Sequence, residues 1–418
     1  MCFTPSSSKK YIGMSQVIKF MVFVVFFTLG LNAQAAKTVA GQVRFFNNAD
    51  TAFNGYVNNP NAVQKKWLRD HYSRMLTYPP SFDKKNAWYK GGLAYVDSYA
   101  IYANDSLAKA HPEWIMKDAR GNKLYIPWSC GNGRCSQFAG DFSNPAFRRY
   151  MIKKMQATVK SGYKGLWLDD VNLTWRVGNS NDVNVHITPI DSNTGKAMTL
   201  NDWRHYFSRY LREVRAALPK TIEISHNAIW YADSMKAKNP YITQQIKAAN
   251  YINLERGASD GGLVGGTGQW GYETFLKYID YVHKNGAGVI LMDEGYTPAQ
   301  REYGLATWFL ISQGNDFINS DQRNWITPDN WWKGYSLNLG KALNDRYTWN
   351  NLIRRDFACG SVFLNQPDTA TRSVSVGNGY KNIDAQSVSW INLQAKTAAI
   401  LKTACNAARS VPNHKFIR

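Results

Sequence analysis

The chain is short of acids, cysteine, histidine and long apolar runs, and each shortage removes a class of protein. Charged residues make up only 19% of the 418 while hydrophobic residues make up 44%, too little charge and too much core material for a disordered polyelectrolyte. The 30 Asp+Glu stand against 50 Lys+Arg, a formal charge of +20. These cations come as scattered doublets such as Lys65-Lys66, Lys84-Lys85, Arg148-Arg149 and Arg354-Arg355, a diffuse positive field rather than a nucleic-acid groove. His71, His111, His186, His205, His226 and His283 are isolated, with no H-x-H or H-x-x-E-H spacing, and no cysteine pair has C-x2-C spacing. No metal centre is expected. The glycine-rich stretch from Gly257 to Gly271 holds no P-loop, so no cofactor is expected either.

The one long apolar run lies at the N-terminus. Lys9, Lys10 and Lys19 precede Phe20 to Leu31, and Ala33-Gln34-Ala35 follows as a small-x-small cleavage site. That is the three-part pattern of a secretory signal over residues 1–36, so the expected location is secreted or periplasmic. The run is shorter than the roughly 20 apolar residues that span a bilayer, and no stable membrane insertion is expected after cleavage. Removing the three lysines leaves +17, and removing Cys2 leaves four cysteines. An even number in an exported chain suggests two disulfides. Cys130 with Cys135 would staple a tight loop and Cys359 with Cys405 would tie the last segment, although other pairings are open.

What the chain has in quantity is aromatic side chains, 14% of the residues, and short apolar strands alternating with amphipathic helices. Strands are expected at Val43–Asn47, Met75–Tyr78, Leu93–Tyr102, Gly165–Asp170, Thr221–Ser225, Tyr251–Leu254, Gly288–Met292 and Asp316–Ile318. Between them run helices, one capped at Ser143 with Pro145 in its first turn, another at Thr199 with Asp202 three residues on. Eight such units predict an α/β fold, a (β/α)8 TIM barrel over 41–325. Residues 326–418 carry short strand-like runs and predict a small C-terminal antiparallel β domain.

A barrel of this kind builds its site at the C-terminal ends of its strands. Those positions hold Asp97, Asp169, Asp170, Glu255, Arg256, Asp293 and Glu294, with Asn172, His226 and Asn227 close by. Carboxylates thus collect on one rim of an acid-poor chain. Paired carboxylates are what glycoside hydrolysis requires, one protonated to release the alcohol and one ionised to attack the anomeric carbon or activate water. Trp residues near strand ends, among them Trp128, Trp167, Trp175, Trp230, Trp270 and Trp308, could stack on sugar faces or serve as core.

Several segments carry a family resemblance: Val43-Arg44-Phe45-Phe46-Asn47, Ala94-Tyr95-Val96-Asp97, His111-Pro112-Glu113-Trp114, Asp141-Phe142-Ser143-Asn144-Pro145, Gly165-Leu166-Trp167-Leu168-Asp169-Asp170-Val171-Asn172 and Phe357 to Asn365. Together they resemble landmarks of glycoside-hydrolase-like TIM-barrel proteins, distant relatives of the amylase, dextranase and α-galactosidase superfamily. The resemblance implies a nucleophile at the end of strand four, here Asp169 with Asp170 second, and an acid on strand five or six. Glu223 lies early in its strand, so Glu255 is preferred for the acid. Expected substrate contacts are Asp97, Trp128, Trp167, Asn172, His226, Asn227, Arg256, Asp293 and Glu294. The expected partner is a carbohydrate, including an acidic one; the rival expectation is a non-catalytic barrel that binds a glycan or anionic polymer.

Overall fold

The computed structural model describes residues 39–48, 58–131, 134–178, 186–228, 239–255, 257–259, 261–293, 295–320 and 328–406. The segment read as a signal lies outside them. Eight parallel strands close into a barrel: β1 (Phe45–Asn48), β2 (Tyr72–Thr77), β3 (Gly92–Asp97), β4 (Gly165–Asp169), β5 (Glu223–Ala228), β6 (Tyr251–Leu254), β7 (Gly288–Asp293) and β8 (Phe317–Ser320). Each pairs with its neighbours in chain order, and β1 closes on β8 through Phe45 opposite Ile318. Phe46, Leu76, Leu93, Trp167, Tyr251, Ile290 and Phe317 fill the interior. The barrel is therefore a packed core with its chemistry on top.

Helices α1 (Ala62–His71), α2 (Pro145–Lys160), α3 (Leu200–Ala217), α4 (Pro240–Ala248), α5 (Tyr272–Lys284) and α6 (Pro298–Ile311) surround the barrel. Their signals are local. Thr199 and Asp202 form a capping box on α3, and α5 buries Tyr272, Phe275, Leu276, Ile279 and Val282 along one face. The α2 cap is Asn144 rather than Ser143, because the Ser143 hydroxyl is occupied by Asp141 Oδ1 at 2.6 Å while Asn144 accepts from the Ala146 N–H. Among the described residues the ring is incomplete: a 3-10 turn at Asp83–Ala87 follows β2, and 3-10 turns follow β8.

The expected strand at Leu93–Tyr102 is two elements, β3 and a short strand at Ala100–Tyr102 that pairs with Gln137–Ala139. The intervening excursion thereby folds back over the barrel mouth. Its Cys130–Cys135 loop is a disulfide-closed hairpin, and Cys359 is bonded to Cys405.

Beyond the barrel lies an antiparallel sheet of β9 (Tyr347–Trp349), β10 (Leu352–Phe357), β11 (Gly360–Asn365), β12 (Arg372–Lys381), β13 (Ser387–Leu393) and β14 (Thr397–Lys402), in the order β9-β10-β11-β14-β12-β13. Helix α6 is buried on all sides from Tyr303 to Ile311 because the barrel and this sheet share it. Arg355 of β10 donates to the carbonyls of Phe309, Leu310 and Ser312, satisfying the helix's terminal acceptors. Ile400 N–H of β14 donates to Glu302 Oε1 at 2.8 Å.

Candidate active site

The site begins with the alternation of the strands. Side chains two apart share a face, so Tyr95 and Asp97 on β3, Trp167 and Asp169 on β4, and Ser225 and Asn227 on β5 fall on the barrel's inner face. Asp97 sits opposite Asp169 in the ladder, which brings two carboxylates to neighbouring strand ends.

They are held by neutral donors. The Tyr95 hydroxyl oxygen lies 2.7 Å from Asp97 Oδ1 and 2.6 Å from Asp169 Oδ2. Asp97 Oδ2 accepts from Tyr102 and, at 3.3 Å, from Gln137 Nε2. Asp169 Oδ1 accepts the Asp170 backbone N–H and Asn227 Nδ2, both at 2.8 Å. The same Asn227 nitrogen reaches Glu255 Oε2 at 3.3 Å, so the two carboxylate oxygens it joins lie within about 6 Å of each other. Asn253 Nδ2 anchors Asn227 in turn, at 2.8 Å from its Oδ1. Just past Glu255, Gly257 takes φ +49° with its α-carbon against β7, where a Cβ would stand 1.9 Å from the Met292 carbonyl oxygen. Only glycine fits there.

Two lobes of one cleft meet at Tyr95, Asp97, Asp169, Asn227 and Glu255. The first, about 550 Å³, is bounded by Tyr78, Tyr102, Trp167 and Lys154. The second, about 810 Å³, is bounded by Trp128, Trp270, Asn172, Asp170 and Arg176, whose guanidinium lies 4.2 Å over the Trp128 ring. Trp128 and Trp270 are half exposed at the cleft, as stacking would require.

Proton affinities follow from the crowding. Burial, followed by the charges of Asp169 and Asp97, pushes Asp170 up to about 8. Its backbone adopts φ +56°, a left-handed conformation unusual for aspartate, and in that turn its N–H donates to Asp169. Burial also raises Asp97, against the pull of hydrogen bonds from Tyr102 and Tyr95.

The structure thus gathers Asp97, Trp128, Trp167, Asp169, Asp170, Asn172, Asn227 and Glu255 around one cleft. It does not bring His226 or Asp293 there. His226 is fully buried, one residue out of phase with Asn227, and burial drives its imidazole down to about 3. Asp293 is out of phase with Met292, which lines the first lobe; the Asp293 carboxylate accepts from Ser259 and lies against Gly304 of α6. Arg256, Glu294 and Trp230 lie outside the described residues. Trp308 is core on α6. Glu223 faces the opposite end of the barrel, in a two-pronged pair with Arg74 at 2.6 Å on both contacts. Tyr95, which shares the face of Asp97, was recoverable from the period-two rule. Tyr102, Gln137 and Arg176 had no such local signal. Among the described residues no group of His, Cys, Asp or Glu forms a metal-binding cluster.

This is a parallel eight-stranded barrel with a cleft at its C-terminal rim, a fold that it shares with solved glycoside hydrolases. The isomalto-dextranase of Arthrobacter globiformis T6, complexed with panose, superposes with a TM-score of 0.51 at 12% identity, over 88% of this chain and 73% of that one. An α-amylase from Lactobacillus plantarum gives 0.50 at 11%, over 87% and 99%. At these identities the likeness is one of fold. No protein-family model matches the chain, and no curated protein matches it.

Proposed function

We propose that the protein is an exported glycoside hydrolase that cleaves an oligo- or polysaccharide with retention at the anomeric carbon. The observation that carries this reading is the Asn227 amide joining Asp169 and Glu255. It holds one oxygen of each within about 6 Å of the other, a spacing that admits the roughly 5 to 5.5 Å between carboxyl groups in retaining enzymes.

In this reading Asp169 is the nucleophile. Its two oxygens are oriented by Tyr95, Asn227 and the Asp170 N–H, all neutral donors rather than cations. Glu255, at the exposed rim, gives a proton to the glycosidic oxygen as Asp169 bonds to the anomeric carbon and the leaving alcohol departs. It then takes a proton from water, whose oxygen displaces Asp169 and releases the sugar. Trp128 and Trp270 supply apolar faces for the sugar rings flanking the scissile bond. The panose-bound isomalto-dextranase and the amylase support a neutral glucan as a first substrate to try. The basic excess, +17 once the signal is removed, supports trying acidic polymers as well. Export rests on the N-terminal pattern and is supported by the two disulfides.

The test is a panel of neutral and acidic polysaccharides, with products identified by mass and the anomer formed first identified by NMR. Cleavage with retention that is lost in Asp169→Asn and Glu255→Gln is the expected result. Turnover within a few-fold of wild type in either variant overturns the assignment, and glycan affinity without wild-type turnover favours a binding barrel.

A further inference from the structure

The contacts around Tyr95 contain one hydrogen too few. Its hydroxyl oxygen lies at hydrogen-bond distance from an oxygen of each of two carboxylates, Asp97 and Asp169, and a phenol has a single proton to give. If both acids were ionised, one of these contacts would set two electron-rich oxygens 2.6 to 2.7 Å apart with at most a shared hydrogen between them. A second hydrogen resolves this, and the surroundings indicate where it sits.

The far oxygen of Asp169, Oδ1, takes two N–H donors, from Asp170 and Asn227. Asp97 is only 8% exposed, and its Oδ2 already accepts from the Tyr102 hydroxyl and the Gln137 amide. Two oxygens face Tyr95, Asp169 Oδ2 and Asp97 Oδ1, and the hydrogen belongs on Asp97 Oδ1 because Asp97 is the more buried of the two acids while Asp169 is half-buried. Resting on the assignment of Asp169 as nucleophile, we propose that Asp97 is a proton-holding positioning residue. Its Oδ1–H donates to the Tyr95 oxygen, so that Tyr95 gives its own proton wholly to Asp169 and fixes the attacking carboxylate.

The groups facing Asp97 are consistent with this. Tyr95 and Asp169 face it from β3 and β4, Tyr102 and Gln137 from the short strands over the mouth, and Lys154 of α2 is the cation whose charge opposes protonation. Burial, with the Asp169 charge adding to it, outweighs that cation and the two phenols and moves the carboxyl upward. The chain Asp97–Tyr95–Asp169 therefore depends on pH: once Asp97 ionises, Tyr95 must divide its proton and the hold on Asp169 slackens.

The amide of Asp97→Asn imitates the protonated acid, since its nitrogen can donate to Tyr95 while its oxygen accepts from Tyr102 and Gln137. Asp97→Ala removes the link. The first measurement needs no substrate: 13C NMR of aspartate carboxyl groups across pH in wild type and Asp97→Asn. Asp170, near 8, contributes one resonance in the protonated-acid position at pH 6 in both proteins; a second one, absent from the variant, is expected from Asp97, and its absence from wild type overturns the proposal. The second measurement is kinetic, on whichever polysaccharide the wild type cleaves. Asp97→Ala should lower kcat about 10²-fold with little change in KM, as misplacement of a reacting group does. Asp97→Asn should recover at least about ten-fold of that loss and shift the alkaline limb of the pH profile. Equal losses in both variants, or an unshifted limb, overturn the role. A wild type that shows the protonated Asp97 yet cleaves no polysaccharide overturns the hydrolase reading, and the role with it, while leaving the proton where the NMR puts it.

Discussion

The two ends of the barrel hold buried carboxylates in opposite ways. At the N-terminal end Glu223, the first residue of β5, is gripped by the Arg74 guanidinium and lies 3.6 Å from the Lys164 ammonium. Four residues along the same strand, at the C-terminal end, Asn227 offers an amide to Asp169 and Glu255. There the acids meet phenols, amides and backbone N–H groups, and among the described residues the cations lining the cleft are Lys154 and Arg176, which stand at its sides. A carboxylate matched by a cation is quenched and serves stability. One held by neutral donors keeps its charge available, and its neighbours' proton affinities drift upward because burial and the crowding of like charges outweigh the cations at the cleft's sides.

This contrast can be broken by exchanging the consequences of mutation at the two ends. The largest effect is expected at the top: Asp169→Asn should lower kcat by at least about 10³-fold, with unfolding by heat or urea little changed. At the bottom the pattern should invert. Arg74→Ala leaves Glu223 unpaired in a mostly buried position and should cost about 3 kcal/mol in urea unfolding, while the folded fraction turns over normally. Should Arg74→Ala abolish turnover in fully folded protein, the division between the two ends fails.

A pH series sharpens the comparison further. Asp170 is an ordinary acid near 3.8 when unfolded and near 8 when folded. The folded state therefore holds a proton that the unfolded state has released between those limits, so stability falls as pH rises from about 4 to about 8. Asp170→Asn should flatten that slope, measured as melting temperature against pH; an unchanged slope removes Asp170 as its source. The smallest effects belong to the cleft walls. Trp128→Ala and Trp270→Ala should each weaken substrate binding by about 1 kcal/mol, read as a rise in KM of roughly five-fold, with stability nearly unaffected because both rings are half exposed.

Much of the fold was legible along the chain because barrel strands and amphipathic helices declare themselves locally. Tyr251–Leu254 was read with its observed bounds, and the Thr199–Asp202 box marked the start of its helix. The strands β9, β10 and β14 were not anticipated. Their burial depends on α6 and on one another, so a run such as Leu352–Phe357, which carries Arg354 and Arg355 between its apolar residues, shows no clean alternation. Arg355 reads as surface in sequence and proves to be the buried cap of a helix.

For the site, the sequence by itself determined that acids gather where strands end, and a period of two was enough to pair Tyr95 with Asp97. It could not rank neighbours that differ by one position. Asn227 enters the cleft while His226 is sealed in the wall, and Met292 enters while Asp293 turns toward α6. Pleat phase decided these, and phase is set by pairing with neighbouring strands rather than by residue type. Only the tertiary structure brought Gln137 back over the mouth to pair beside Tyr102, and only it made one Tyr95 oxygen answer to two carboxylates. Two of those contacts, Tyr95 to Asp169 and Gln137 to Asp97, join residues far apart in the chain, and it is such closeness in a medium of low polarity that converts ordinary aspartates into groups of different proton affinity.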